Sequence, residues 1–132
     1  MKKKVLISTG GSGGHVLPAI TIRDHLKSSY ETLISTDLRG LKYLDKEIYK
    51  PIIIDVPKLN NLFLLPFVLL KVPFLTLKCI IFFKKENISI LISTGGYMSL
   101  PLCLAAKVLN IKIFLIEPNM VLGRANKLSS FL

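Results

Sequence analysis

Six of the chain's eight glycines lie in two short loops, Gly10-Gly11-Ser12-Gly13-Gly14-His15 and Gly95-Gly96-Tyr97. A glycine-rich turn from a strand into a helix lets backbone N–H groups approach an anion closely, and the helix N-terminus adds a partial positive charge. A diphosphate is the natural ligand for such loops. A tight turn accounts for one of them; two in one chain, each behind the same tetrapeptide, point to a common ligand. His15 closes the first loop. An imidazole has a reference pKa of about 6.5 and takes up protons near neutral pH, although a helix N-terminus opposes the charged form. His15 is therefore a candidate general base, and equally a helix-start residue bonded to loop carbonyls. Glu117, two residues before Asn119, is the competing base or a helix-entry carboxylate.

The familiar phosphate motifs do not fit. No Gly-Lys-Ser/Thr follows the first loop as a Walker sequence requires. In a GxGxxG frame starting at Gly11, Val16 occupies the third glycine position, leaving only Asp37, at the end of the second apolar run, as a ribose ligand for a dinucleotide. No Asp-x-Asp pair is present to hold a divalent ion on a diphosphate, so neither metal nor cofactor is expected.

The elements that must position these loops are legible in the apolar runs. Leu6-Ile7-Ser8-Thr9, Leu33-Ile34-Ser35-Thr36 and Leu91-Ile92-Ser93-Thr94 each end a β-branched stretch and read as buried parallel strands, with residues 51–56 and 111–116 as two more. Intervening stretches long enough for helices imply an α/β, Rossmann-like open parallel sheet of about five or more strands. The spacing predicts a first helix over residues 15–28 with Pro18 in its first turn, a helix capped by Ser99 and running to about Leu109, and a last helix over residues 121–132.

With 132 residues, 51% hydrophobic content and a mean hydropathy of +0.54, the chain suits one packed domain rather than a disordered tail. Its formal charge of +10 favours phosphates or an anionic bilayer. Nucleic acid is set aside, because no recognition signature or interleaved aromatic and basic platform is present. Cys79 and Cys103 lack metal or redox spacing and read as buried thiols. The apolar run after Lys2–Lys4 ends at Ile7, too soon for an export signal, which predicts a cytoplasmic protein.

Residues 62–83, LFLLPFVLLKVPFLTLKCIIFF, match a bilayer-spanning helix in length, but Pro66, Pro73, Lys71 and Lys78 disrupt that reading. Lys71, Lys78 and Lys85 recur every seven residues and form a basic stripe on a helix, beside apolar residues such as Phe67 and Phe74. That pattern suits a helix lying in the interface of an anionic membrane; a core helix under the sheet is the plainer alternative.

Three groups of residues together resemble a known family: Gly10 to His15 with Pro18 and Ala19; Gly95-Gly96-Tyr97 with Pro101; and Glu117 with Asn119, Gly123, Asn126 and Lys127. The family is the bacterial glycosyltransferases that add N-acetylglucosamine to the undecaprenyl-diphosphate-linked muramyl-pentapeptide of peptidoglycan synthesis. The resemblance runs along essentially the whole chain and implies the N-terminal, acceptor-side half of a GT-B fold over residues 1–132. The donor-binding domain for UDP-N-acetylglucosamine is then expected from a C-terminal continuation or a separate subunit. It further implies that Ser12, Gly13, Gly14 and Asn119 touch the sugar nucleotide, that Gly11, Gly95, Gly96 and Tyr97 face the acceptor diphosphate, and that the protein sits peripherally on the cytoplasmic face of the plasma membrane. A non-catalytic, membrane-docked subunit that binds polyprenyl diphosphates would use the same residues. Two positions depart from the family pattern: Ile116-Glu117-Pro118-Asn119 stands where His-Glu-Gln-Asn is usual, and Leu100 where glycine is common.

Overall fold

The computed structural model describes residues 1–56, 62–119 and 124–132. Five parallel strands, β1 (Lys4–Ser8), β2 (Glu31–Thr36), β3 (Ile52–Ile53), β4 (Ile88–Ser93) and β5 (Lys112–Leu115), form one sheet in the order β3-β2-β1-β4-β5. The three Leu-Ile-Ser-Thr segments lie side by side in register, Leu6 opposite Leu33 and Leu91, and Ser8 opposite Ser35 and Ser93. Because successive strand residues face opposite ways, this repeat sorts the two cores. Leu6 and Leu91 enter one apolar cluster, while Ile7, Ile34 and Ile92 enter the other.

Helix α1 (Gly13–Leu26) covers the isoleucine side through Val16 and Ala19. Helices α3 (Leu65–Glu86) and α4 (Ser99–Val108) cover the leucine side through Cys79, Phe83, Leu102, Cys103 and Ala106. Burial of the two thiols raises both pKa values, that of Cys79 to about 12, so each behaves as a small apolar side chain. A short helix α2 (Lys46–Tyr49) and the terminal α5 (Arg124–Ser129) complete the set.

Several boundaries differ from the sequence expectation. Helix α1 starts two residues earlier, because the Ser12 carbonyl accepts from the N–H groups of His15 and Val16; Pro18 therefore falls in the second turn. Ser99 is the first residue of α4 rather than its cap. Its hydroxyl donates to the Gly96 carbonyl at 2.6 Å, because the chain has already begun to turn at Gly96. The strand expected over residues 51–56 pairs only at Ile52 and Ile53, at the sheet edge, and the stretch before it holds a 3-10 turn and the four residues of α2 rather than a full crossover helix. Gly123 and the first residues of the expected last helix lie outside the described residues.

Helix α3 has 22 residues, carries Pro66 in its first turn and Pro73 inside, and ends at Asn87 in the left-handed conformation. By length and composition it could cross a membrane; 17% of its most apolar window is buried in the protein. Val68, Cys79 and Phe83 turn inward. Phe67, Leu70, Phe74, Leu77 and Ile81, at alternating spacings of three and four, form an exposed stripe on the outer face. Lys71 stacks on the Phe67 ring and Lys78 on the Phe74 ring, at 5.8 and 4.6 Å from the centroids. One face of this segment is thus a core face, as the plainer reading expected, and the other is apolar and exposed.

The asymmetry has a measurable consequence. Phe83→Ala, at a site 1% exposed, is expected to cost about 3–5 kcal/mol in denaturant unfolding of the native protein. Leu70→Ser, at a site 78% exposed, is expected to change stability by less than about 0.5 kcal/mol.

Candidate functional site

Strand order reverses between β1 and β4, and the loops that leave those two strands are the two glycine loops. In open parallel sheets this crevice, beyond the carboxyl ends of the strands, is where ligands bind. The loop backbones approach closely here. A Cβ on Gly96 would lie 3.2 Å from the carbonyl carbon and oxygen of Gly10, and a Cβ on Gly40, in the loop after β2, would lie 3.1 Å from the Gly10 Cα.

Asp37 fixes this arrangement. It is 1% exposed, and its Oδ1 accepts from the N–H groups of Gly11 at 3.0 Å and Gly40 at 2.8 Å. Its Oδ2 accepts from Arg39 Nε and Nη2 at 3.0 and 2.7 Å. Burial alone would raise the carboxyl pKa, but the two amides and the guanidinium together hold it below the ordinary value. Both oxygens are engaged inside the protein, so the dinucleotide role weighed for Asp37 loses its free ribose acceptor. Gly11, at φ +83°, turns its N–H inward to this carboxylate.

Beyond Gly11, α1 and α4 both begin at the crevice. Ser12 is the N-cap of α1, exposed, with a hydroxyl that bonds to no helix N–H; Tyr97 and Met98 precede α4. Neither helix has an acidic residue in its own first turn to offset the positive end of its dipole. Two converging N-termini, one flanked by Gly13 and Gly14, suit a ligand with two or more negative charges.

His15 stands between the loops. Its Nδ1 is 2.7 Å from the Thr94 carbonyl oxygen, and the Thr94 hydroxyl donates to the His15 carbonyl at 2.9 Å. A carbonyl only accepts, so Nδ1 carries the proton and Nε2 of the neutral ring keeps its lone pair. Gly95, at φ +107°, makes room for the ring: a Cβ there would lie 2.9 Å from His15 Cε1 and Nδ1. The same Cβ would be 3.5 Å from Asn126 Nδ2.

Asn126 ties in the second candidate base. It is 1% exposed, and its Nδ2 donates to Glu117 Oε2 at 3.1 Å and to the Ile116 carbonyl at 3.3 Å. Glu117 Oε1 accepts from the backbone N–H and the Nδ2 of Asn119, at 3.1 and 2.9 Å. Glu117 thereby acts as a local organiser of the loop after β5, drawing Asn119 and Asn126 together. Asn126 was visible in the sequence only as one residue of a signature; its place beside residues 95 and 117 comes with the packing of α5 against α4. Among the described residues, no group of three or more His, Cys, Asp or Glu side chains could hold a metal ion.

Comparison with known proteins identifies a family and a fold. Residues 5–132 match the glycosyltransferase family 28 N-terminal domain. The chain is 55% identical over 128 residues to the UDP-N-acetylglucosamine--N-acetylmuramyl-(pentapeptide) pyrophosphoryl-undecaprenol N-acetylglucosamine transferase of Pelagibacter ubique (strain HTCC1062), covering 96% of this chain and 36% of that protein. It is 37% identical to the protein of the same name from Wolbachia sp. subsp. Brugia malayi (strain TRS), covering 93% and 35%. It thus spans about a third of the length of the curated relatives it matches. Among solved structures, Acinetobacter baumannii MurG superposes with a TM-score of 0.77 at 26% identity, over 98% of this chain and 39% of that one.

The contact between Gly95 and His15 is open to test. In native protein at a pH where the ring is neutral, long-range ¹H–¹⁵N spectra are expected to show His15 protonated on Nδ1. Gly95→Ala is expected to abolish that fixed tautomer and to destabilise the fold by more than about 1 kcal/mol, through both the clash and the positive φ.

Proposed function

We propose, for a chain that belongs to the glycosyltransferase family 28 N-terminal domain family, that it supplies the acceptor- and membrane-facing part of an N-acetylglucosaminyltransferase. The donor is UDP-N-acetylglucosamine and the acceptor an undecaprenyl-diphosphate-linked muramyl-pentapeptide. Residues 1–132 form the acceptor-side domain, and a C-terminal domain or separate subunit holds most of the donor. The observation that carries this reading is the pair of acid-free helix N-termini converging on one crevice, with the free Nε2 of His15 between them.

Transfer with inversion then runs as follows. His15 Nε2 removes the proton from the muramyl 4-hydroxyl as that oxygen attacks the anomeric carbon; the bond from the anomeric carbon to the UDP oxygen breaks, and UDP leaves with the bonding pair. Ser12, Gly13 and Gly14 at the start of α1 and Asn119 contact the sugar nucleotide, and the backbone dipoles stabilise charge on the leaving diphosphate. Gly11 contributes through its conformation, while Gly95, Gly96 and Tyr97 line the acceptor diphosphate side. Glu117, whose carboxylate accepts from Asn119 and Asn126, holds the loop after β5 in this reading.

The membrane reading rests on α3. Lys4, at the start of β1, pairs with Glu86 at 3.1 Å, so α3 ends at the amino edge of the sheet. The exposed stripe runs along the helix from Phe67 to Ile81. It therefore favours α3 lying flat on the bilayer, with Lys71, Lys78 and Lys85 toward anionic headgroups. The protein would be peripheral, on the cytoplasmic face of the plasma membrane where the lipid acceptor's headgroup is reached.

Two measurements test this. In transfer assays of the native full-length protein, His15→Ala is expected to lower kcat by about 10²–10⁴-fold, with Glu117→Gln falling by far less; the reverse order would make Glu117 the base. Replacing Lys71, Lys78 and Lys85 with Ala is expected to weaken co-sedimentation with phosphatidylglycerol vesicles by roughly 100-fold, at about 1 kcal/mol per lysine. Unchanged partitioning would remove α3 from the membrane.

A further inference from the structure

Among the described residues Asp37 is the one buried carboxylate, and no step of the reaction just described uses it. A single oxygen, Oδ1, receives two backbone amides from different loops, Gly11 after β1 and Gly40 after β2. It also lies 3.0 Å from where a Gly10 Cβ would stand, so the carboxylate fills the space a side chain would take. The other oxygen is neutralised by Arg39, whose side chain remains partly exposed. The two jobs fall on different atoms: Oδ1 holds backbone and Oδ2 balances charge.

Gly11 is held at φ +83°, and Ser12 and the first turn of α1 follow directly. In a glycine-rich stretch, backbone freedom is large and its loss on ordering is costly. A clamp that fixes Gly11 therefore fixes the direction of the Gly13 and Gly14 amides before any ligand arrives.

We propose that Asp37 is a positioning residue for diphosphate recognition, acting through the Gly11 and Gly40 amides to preorganise the start of α1. It touches no ligand. The inference rests on the crevice being a diphosphate site, as argued above. Apparent affinity falls in proportion to the fraction of molecules in the competent conformation, so a loop released to sample about ten alternatives binds about tenfold more weakly.

The atom-by-atom division gives a discriminating test. In Asp37→Asn the amide oxygen still accepts from both glycines while the Arg39 pair is lost; in Asp37→Ala both are lost. With native full-length protein and inorganic pyrophosphate as the probe, titration calorimetry is expected to give a Kd within about threefold of wild type for Asp37→Asn and at least about tenfold weaker for Asp37→Ala. Hydrogen exchange at Gly11 and Gly40 is expected to quicken only in the latter. Asp37→Ser, whose one short hydroxyl cannot reach both amides, takes the place of Asp37→Ala where that variant does not fold. A purely structural role would lower the melting temperature of these variants without separating their affinities. Equal pyrophosphate affinity in wild type and Asp37→Ala or Asp37→Ser, or no binding by wild type, overturns the proposal. Pyrophosphate binding that follows the expected pattern in a protein with no sugar transfer supports the clamp and overturns the transferase reading instead.

Discussion

The backbone of Gly10 is approached from two sides at distances that leave no room for a side chain, by Gly96 from the loop after β4 and by Gly40 from the loop after β2. Three strand ends are thereby drawn into van der Waals contact at the point where strand order reverses. Loops this close would ordinarily leave amides without partners, which is costly away from water. Asp37 satisfies two of them, and its own charge is tolerable underneath because those amides and Arg39 together offset its burial. The position of His15 over Gly95, and of Asn126 beside it, follows from the same contact.

The arrangement also sets how the domain meets its surroundings. Helix α3 returns the chain from the carboxyl edge to the amino edge, and its exposed apolar stripe runs along its length. Lys71 and Lys85, 14 positions apart on one helix, are separated by about 21 Å along its axis. A helix standing upright in a membrane would submerge one of these lysines; a helix lying flat engages both. The stacking of Lys71 on Phe67 and Lys78 on Phe74 keeps each cation beside the apolar stripe rather than splayed from it.

Much of this was legible in the residues because it rests on local pattern. Leu-Ile-Ser-Thr has a strand's β-branched content and a strand's alternation, and it sorts cleanly between two faces. The glycine loops announced themselves by clustering. What the chain did not disclose depends on contacts distant in sequence or on competition between local options. Gly11 reads as an anion-binding amide until Asp37, 26 residues away, is seen to accept its hydrogen. Ser99 has the chemistry of a helix cap, but the turn at Gly96 recruits its hydroxyl as a donor instead. Asn126 is a polar residue in a terminal helix until packing brings it to Glu117 and Gly95.

The in-register repeat of one tetrapeptide on β1, β2 and β4 bears on how the chain finds its topology. Each of the three strands offers the same side chains on the same faces, so β2 set against β4, with β1 displaced to an edge, would bury nearly the same groups in nearly the same register. Strand pairing by itself discriminates weakly among these permutations. Discrimination must come from what joins the strands: the length of each crossover, the face on which its helix lands, and the fit of the glycine loops once the strand ends meet. The glycine contacts that shape the crevice would then also serve as the check on strand order, and mutations there would be felt as slow or misdirected folding before they were felt as lost activity.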